Sequence, residues 1–208
     1  NLFGEVAFQA DLDYTFAKGT SLGGKYGTSI GVNFAIAVTP ERKFLDDLET
    51  SRIGYSSKLF AASDSLLYSD INIQISKKFS KKFKGKITYY NMAFNADANI
   101  VTDVPGMIYS NAGVIEGLIK FNRKNSLRFE VQGLFTKQDR GDWAALVLEY
   151  TISPHWCFAL IDQYNFGNED ESQRVHYLYG TVGYIRNATR ISLAYGRQRE
   201  GIFCVGGV

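Results

Sequence analysis

The sequence contains few cysteines, few prolines and no long apolar run. Its two cysteines, Cys157 and Cys204, show none of the spacings that bind metals, and we interpret them as unrelated thiols. The alternative is that Cys204 pairs with a cysteine beyond the end of this sequence. No segment approaches the roughly 18 consecutive apolar residues that a membrane-spanning helix needs. These absences argue against a cysteine-based metal site and against a membrane-spanning helix.

A strong charge of either sign is also missing. Lys and Arg total 23 against 21 Asp and Glu, whereas a dedicated nucleic-acid binder is normally strongly basic. Neither His155 nor His176 stands in a metal-ligand pattern. Gly19 to Gly23 match Gly-x-Ser-x-Gly, but they fall in a predicted turn between two strands, so no nucleophile elbow between a strand and a helix supports a hydrolase. We therefore expect no nucleic-acid partner, no metal, no cofactor and no enzymatic activity. A membrane hydrolase that uses His176 at an external strand end is the weakest alternative.

What the sequence does contain is a long alternation of apolar and polar residues, first seen over residues 2–18. Its even positions are mostly apolar, and its odd positions include Glu5, Asp11 and Asp13. A helical period of about 3.6 residues would mix both kinds on one face, whereas a strand separates them. The stretch is much longer than a typical strand of about 5–6 residues. Length and alternation together predict a transmembrane β-barrel strand with lipid on its apolar side.

The same alternation recurs along the chain and predicts ten strands. They are expected at about 2–18, 26–38, 67–79, 83–95, 107–121, 127–136, 146–152, 156–160, 178–184 and 191–195. In the fourth strand the apolar residues switch from odd positions, up to Tyr89, to even positions at Met92 and Phe94. This switch predicts a β-bulge near Tyr90. Pro40, Pro105 and Pro154 all fall outside the proposed strands, as expected because proline cannot donate to a β-ladder.

The connections between the predicted strands alternate in length. Short turns are expected at 19–24, 80–82, 122–125, 153–155 and 186–188, and mostly longer, more charged connections at 40–66, 96–105, 137–142, 167–174 and after Arg199. Outer-membrane barrels have short periplasmic turns and longer external loops. We therefore interpret residues 40–66 as a long external loop that contains a short hairpin.

The strand count bears on the size of the barrel. Ten strands would leave both chain ends on the external side, although closed bacterial barrels usually have both ends in the periplasm. We therefore expect residues 1–208 to be a single β-barrel domain fragment. The predicted fold is all-β, an antiparallel up-and-down transmembrane β-barrel of about 12 to 16 strands, incomplete here. A soluble sandwich or lipocalin-like barrel is the alternative, and it would need the aromatic-rich face to be a buried core.

Two sets of residues are predicted to have functional positions. Inward-facing charged residues are candidates for lining a lumen, where they would set ion preference or merely keep the lumen wet. These candidates are Glu5, Asp11, Asp13, Asp70, Glu116, Lys120, Arg128, Glu130, Glu149 and Arg190. Aromatic residues near the short turns are candidates for a periplasmic girdle, because amphipathic rings prefer the membrane–water interface. They are Tyr14, Phe16, Tyr26, Phe79, Phe83, Phe121, Tyr150, Trp156 and Tyr184.

A basic run lies around the turn after the third predicted strand. It consists of Lys77, Lys78, Lys81, Lys82 and Lys84. The favoured interpretation is that these lysines flank a periplasmic turn and extend their ammonium groups to headgroups or water. The alternative is that the run attracts an anionic partner.

Several stretches resemble a known group of proteins. They are Gly19 to Gly27, Ser76 to Phe83, Thr136 to Trp143, Ile152 to Trp156, and Ala188 to Val208 with its Tyr-Gly-Arg-Gln-Arg-Glu-Gly and Cys-Val-Gly-Gly segments. Together they resemble a family of Bacteroidota outer-membrane β-barrel proteins to which no activity is assigned. The resemblance implies an envelope location, further strands and a second cysteine past this end of the chain. It also implies an external disulfide at Cys204.

The leading hypothesis from the sequence is an outer-membrane pore or transport barrel that passes or binds solutes through a charged lumen. The alternative is a non-conducting barrel that serves as a subunit of a larger outer-membrane complex for secretion, nutrient uptake or barrel assembly. Outer-membrane lipid is the expected partner, with other outer-membrane proteins or lipoproteins as further candidates.

Overall fold

The structure, a computed structural model, describes residues 4–44, 55–97 and 106–199. In these ranges the regular elements are strands, apart from one turn of 3₁₀ helix at Glu171–Gln173. The strands are β1 Val6–Phe16, β2 Thr28–Pro40, β3 Lys43–Phe44, β4 Tyr55–Ser56, β5 Ala62–Lys78, β6 Phe83–Asn95, β7 Met107–Lys120, β8 Asn125–Thr136, β9 Trp143–Ile152, β10 Trp156–Asn165, β11 His176–Arg186 and β12 Thr189–Gly196. No helix in the described ranges is long and apolar enough to span a membrane.

Ten of the strands form one antiparallel sheet. Their order is β1-β2-β5-β6-β7-β8-β9-β10-β11-β12, and β3 and β4 form a separate two-stranded hairpin. The predictions of an all-β, antiparallel, up-and-down fold and of ten main strands are confirmed. Within the described residues β1 pairs with β2 alone and β12 pairs with β11 alone, so the sheet is open. Closure into a barrel stays a prediction.

The strand connections fall at two opposite edges of the sheet. The turns that join β1 to β2, β5 to β6, β7 to β8, β9 to β10 and β11 to β12 lie at one edge, which we call the turn end. The connections that follow β2, β6, β8 and β10 lie at the other edge, the loop end. The predicted alternation of connections therefore agrees with the strand order, although the first turn spans 17–27 rather than 19–24.

The predicted loop at 40–66 is shorter in the structure than the sequence suggested. Strand β5 begins at Ala62, and Pro40 is the last residue of β2 instead of lying outside the strands. Pro40 faces Ala62 across a register shift, and proline is tolerated at such irregular strand ends because no ladder hydrogen bond is lost. The hairpin expected inside this loop is present as β3 and β4. Pro105 lies outside the described residues.

The predicted bulge near Tyr90 is wrong. Strand β6 pairs with β5 and β7 along its length without any shift in register. Met92 and Phe94 therefore lie on the same face as the polar residues, where Phe94 faces the buried Ile108 of β7. Met92 and Phe94 break the alternation because the polar face is apolar near the loop end. The strand contains no extra residue.

The two faces of the sheet differ in composition and exposure. On the apolar face, one row of paired residues crosses seven strands and consists of Tyr14, Ile30, Ile75, Ile87, Ile115, Val131 and Leu146. On the polar face, a parallel row consists of Thr15, Ser29, Ser76, Lys86, Glu116 and Glu130. Ile87, Ile115 and Val131 are 57%, 52% and 47% exposed, and no second layer of described residues covers them.

Candidate functional site

The register of the sheet fixes where the candidate lumen residues lie. The candidates in the strands share the polar face and are Asp11, Asp13, Asp70, Glu116, Lys120, Arg128, Glu130, Glu149 and Arg190. Glu5 precedes β1 and is exposed. The structure therefore brings the strand candidates onto one surface, while their role in lining a lumen stays a prediction.

Arg128 on β8 is the centre of an ion-pair network on this face. Its Nη1 lies 2.7 Å from Oε2 of Glu149 on β9, and its Nη2 lies 2.8 Å from Oε2 of Glu116 on β7. The same Nη2 also donates to Glu130, two residues along β8. A guanidinium can bind several carboxylates because its donors point in fixed, separate directions. One arginine thereby links three strands.

The network continues onto a fourth strand. Nζ of Lys86 on β6 lies 3.6 Å from Oε2 of Glu116, and the side chain of Gln132 donates to Glu130. We call Lys86, Glu116, Arg128, Glu130 and Glu149 the arginine network. It contains three carboxylates and two cations, all at least two-thirds buried. Its ion pairs connect neighbouring strands, so the network extends across the sheet from β6 to β9.

A second polar array lies on β1, β2 and β5. The Asn33 side chain donates to Oδ1 of Asp11 at 2.5 Å, and the Asn72 side chain donates to Oδ1 of Asn33 at 3.1 Å. On β5, the Tyr68 hydroxyl donates to Oδ2 of Asp70 at 2.8 Å. We call these five residues the acidic ladder. Its carboxylates accept from neutral amide and hydroxyl donors, so this part of the face keeps its negative charge.

Near the loop end, the polar face carries a cluster of rings and arginines. The guanidinium of Arg199 lies 4.0 Å from the centre of the Trp143 ring, and that of Arg197 lies 4.8 Å from the centre of the Tyr177 ring. We call these four residues the loop-end cluster. Ile161 and Asn165 of β10, on the same face, are each 1% exposed. Stacking of this kind stabilises an arginine over an aromatic ring while its charge stays available.

Gly196 at the end of β12 positions the two arginines. It has a φ of +137°, and the Arg197 backbone N–H donates to the Leu178 carbonyl at 2.8 Å. An added Cβ at Gly196 would lie 2.2 Å from that same carbonyl oxygen. Glycine is therefore required here both by conformation and by space. The irregularity brings Arg197 to the face of Tyr177.

Between the arginine network and the turn end lies a pocket of about 320 Å³. Arg128, Glu149 and Arg190 line it together with hydroxyl-bearing residues and the half-buried thiol of Cys157. Cys204, the other cysteine, lies outside the described residues. The pocket combines two arginines and a carboxylate with apolar side chains that include Leu118, Ala159 and Ile185, so its lining is mixed.

The candidate girdle residues lie at the turn end, mostly on the apolar face. Eight of them form four ring pairs, with centroid distances of 4.9 Å for Tyr14–Phe16, 5.2 Å for Phe79–Phe83, 6.3 Å for Phe121–Tyr150 and 4.8 Å for Trp156–Tyr184. The ninth, Tyr26, lies in the first turn beneath Nζ of Lys78 at 5.7 Å. The girdle role stays a prediction.

Asp162 interrupts the apolar face near the loop end. Its Oδ2 lies 2.7 Å from Nδ1 of His176, and the His176 ring stacks on Tyr164 at 4.2 Å. This pairing explains why the eighth predicted strand carries a carboxylate among apolar residues. Among the described residues no group of three or more His, Cys, Asp and Glu side chains is arranged to hold a metal ion.

Comparison with known proteins gives one match. A family model described as "Family of unknown function (DUF6029)" matches residues 1–208. The chain belongs to this family. No curated protein and no solved structure matches the chain. A functional assignment for this DUF6029 protein therefore has to come from its geometry.

Sequence reasoning missed part of the site in this DUF6029 protein. It did not single out Trp143, Tyr177, Arg197 or Arg199, because cation–π pairs between distant residues leave no periodic signal. It also missed the amide and hydroxyl members of the acidic ladder. The sequence did contain one signal for it: Asn33 and Asn72 occupy polar-face positions on two consecutive predicted strands.

Proposed function

We propose that this chain forms part of a transmembrane β-barrel of about 12 to 16 strands in the outer membrane of a bacterium, in line with its resemblance to Bacteroidota proteins. We further propose that the barrel is a pore or transport protein, which passes or binds solutes through a charged lumen. The observation that carries this proposal is the pairing of an exposed apolar face with an ion-paired polar face along the same strands.

The exposed apolar face supports a lipid partner. Burial of apolar surface stabilises by about 25 cal/mol per Å², and monomeric soluble proteins rarely expose contiguous apolar patches beyond about 300–600 Å². Here, large apolar side chains are exposed on every strand of the main sheet. Acyl chains would cover this face without requiring a partner protein.

The aromatic pairs support a membrane surface at the turn end of the barrel. Tyr and Trp concentrate where the hydrocarbon meets water, because they have an apolar ring and a polar atom. The pairs Trp156–Tyr184 and Phe121–Tyr150 lie at the turn end. Because outer-membrane barrels have short periplasmic turns and longer external loops, we place the turn end at the periplasmic surface and the loop end outside.

The polar face supports a wet interior. Closing the ten-stranded sheet with further strands would turn this face inward. The arginine network runs along one wall, so its ion pairs would leave the middle of the lumen open. The acidic ladder would present Asp11 and Asp70 to solutes, which favours cations over anions in its part of the lumen.

The loop-end cluster favours a second candidate function. Arg197 and Arg199 fold over Tyr177 and Trp143 on the polar face, and Ile161 below them is buried. A closed barrel would carry this cluster inside its external mouth. A barrel obstructed there would serve as a non-conducting subunit of a larger outer-membrane complex.

Planar-bilayer recording with the complete protein tests the two functions. A pore gives discrete conductance steps, and replacing Asp11 and Asp70 by Asn lowers its preference for cations. The matched control replaces Asn111 and Asn91, which lie on the apolar face, by Ser and leaves ion preference unchanged. A folded barrel that stays silent would contradict the pore, and copurification with a larger complex at fixed stoichiometry would then support the subunit role.

A further inference from the structure

A second pocket on the molecule lies at the turn end, between the first turn and the start of β6. Its volume is about 380 Å³. It is lined by Thr15, Phe16, Ala17, Lys18, Tyr26, Gly27, Ser29, Ser76, Lys77, Lys78 and Lys84. We call it the lysine pocket. It brings together segments from β1, β2, β5, β6 and the first turn.

The charges of the lysine pocket are all of one sign. Four of its lining residues are lysines and none is Asp or Glu. No salt bridge among the described residues involves Lys18, Lys77, Lys78 or Lys84. Lys86, in the same strand as Lys84, pairs with Glu116 at 3.6 Å. Lys86 is therefore ion-paired, whereas the four lysines that line the pocket form no salt bridge within the described part of the chain.

The floor of the pocket supplies uncharged donors. Thr15, Ser29 and Ser76 lie side by side on three adjacent strands of the polar face. The hydroxyls of Thr15 and Ser29 are 3.1 Å apart and share a hydrogen bond. A hydroxyl can donate one hydrogen bond, so this row can donate to a ligand as well as within itself. Tyr26 closes one side, with Nζ of Lys78 5.7 Å from its ring centre.

The lysines line the same cavity as a row of hydroxyls and do not simply extend into solvent. Lys77 lies on the apolar face, in register with Thr28 and Gly85, so the lysines that can face the cavity are Lys18, Lys78 and Lys84. Their ammonium groups repel one another and oppose folding unless a counter-charge enters. An anion in the pocket removes that repulsion and accepts hydrogen bonds from both the ammonium and the hydroxyl groups. The arrangement is therefore suited to an occupant with several negatively charged oxygens.

The choice of cation indicates the class of anion. A carboxylate is planar and is matched best by the planar fork of arginine. The pocket contains lysines and no arginine. Lysine acts as a point charge that can approach a tetrahedral group from any side, and it is a frequent phosphate ligand. A phosphate group carries up to two charges and three terminal oxygens, which these ammonium groups and the free donors of the hydroxyl row can satisfy together.

We propose that the lysine pocket binds a phosphate group, presented either by a soluble phosphorylated solute or by a lipid headgroup. The ligand would be held by Lys78 and Lys84 from the polar face, by Lys18 from the first turn, and by the hydroxyl row beneath. This site goes beyond the proposed pore, because it does not depend on an open lumen.

Binding of inorganic phosphate to the full-length protein in mild detergent tests the proposal. Calorimetric titration at constant ionic strength compares phosphate with chloride. We expect saturable binding of phosphate and a loss of about tenfold or more in affinity in the Lys78→Gln/Lys84→Gln variant. The matched control, Lys81→Gln/Lys82→Gln, removes two lysines of the same run that do not line the pocket, and it should stay within about twofold.

A second variant separates a built site from general charge attraction. Ser29→Ala keeps every lysine and removes one hydroxyl, so it should weaken phosphate binding severalfold while the circular dichroism spectrum stays unchanged. Vesicles of phosphatidylcholine with and without phosphatidic acid distinguish the source. Pocket-dependent binding of inorganic phosphate supports a soluble ligand, and pocket-dependent binding of the phosphatidic acid vesicles alone supports a lipid headgroup. Equal losses in the pocket and control variants, or no preference for phosphate in either arm, would overturn the proposal.

Discussion

Arg128 and Glu149 face each other directly on adjacent strands of the polar face, with Nη1 of the arginine 2.7 Å from Oε2 of the glutamate. The same guanidinium also binds Glu116 and Glu130. A single side chain thus binds carboxylates from β7, β8 and β9. Loss of any one glutamate leaves the others paired, whereas loss of the arginine leaves all of them without their main partner.

We therefore expect Arg128→Met to lower the free energy of unfolding by about 1–3 kcal/mol, since three partly buried carboxylates would lose charged hydrogen bonds. Arg190→Met is the matched control, because Arg190 lies on the same face and forms no salt bridge among the described residues. It should change stability by less than about 0.5 kcal/mol. Urea unfolding from lipid vesicles measures both, and equal values would contradict the central role of Arg128.

Neighbouring residues on opposite faces test the lipid contact. Val131 is exposed on the apolar face, and Gln132 follows it on the polar face. An arginine at a lipid-exposed position near the bilayer centre costs about 2–4 kcal/mol. We expect Val131→Arg to lower the free energy of folding into vesicles by this amount, and Gln132→Arg to cost much less. In a soluble protein the exposed position would accept arginine readily, so a neutral Val131→Arg would refute the membrane assignment.

The alternation of residue types made most of the fold predictable. A strand has a period of two, so the sequence of β8 alone separates Val131 from Gln132 and Arg128 from Phe129. The same rule placed the candidate charges in the strands on one face. The pairing of Arg128 with three glutamates was not predictable, because it depends on which strands are neighbours and on side-chain geometry.

The positions of irregular backbone could not be predicted from the sequence. The apolar Met92 and Phe94 suggested a bulge in β6, whereas the register shift lies between β2 and β5 near Pro40. A break in the apolar–polar alternation looks the same in the sequence whether the strand contains an extra residue or its polar face is locally apolar. At Gly196 the glycine was visible, but the reason for it depends on a carbonyl of Leu178 in another strand.

Gly196 provides a third prediction. Gly196→Ala adds a Cβ that would lie 2.2 Å from the Leu178 carbonyl oxygen, at a φ of +137°. We expect a loss of about 1–3 kcal/mol and a change in Trp143 fluorescence, because Arg199 would leave the indole ring. A Trp156→Phe background leaves Trp143 as the remaining tryptophan of the sequence.

The control for this variant is Gly180→Ala on β11. A Cβ there would meet no atom closer than 3.8 Å, and its backbone is not in the left-handed region. Its stability and fluorescence should match the parent protein. If both variants behave alike, the turn of the chain at Gly196 is not what holds the loop-end cluster together.

The connection between β10 and β11 gives a prediction about pH. The hydroxyl and then the backbone N–H of Ser172 donate to Asp170, and these bonds lower the pKa of the Asp170 carboxyl below its usual value. A lowered pKa in the folded state means that the capped 3₁₀ turn is favoured above the unfolded pKa and loses this contribution as pH falls. Carbon-detected NMR titration should show the pKa rising in Ser172→Ala but not in Ser172→Thr, which keeps the hydroxyl.

In the main sheet, successive strands lie side by side, and the small hairpin of β3 and β4 stands apart from it. Removing one complete hairpin would therefore bring together two strands that run in the correct relative directions. Duplicating one would insert two new strands without reversing any other. A sheet built this way can change its width in steps of two strands, and relatives with wider or narrower sheets are expected to differ by whole hairpins rather than by rearranged ones.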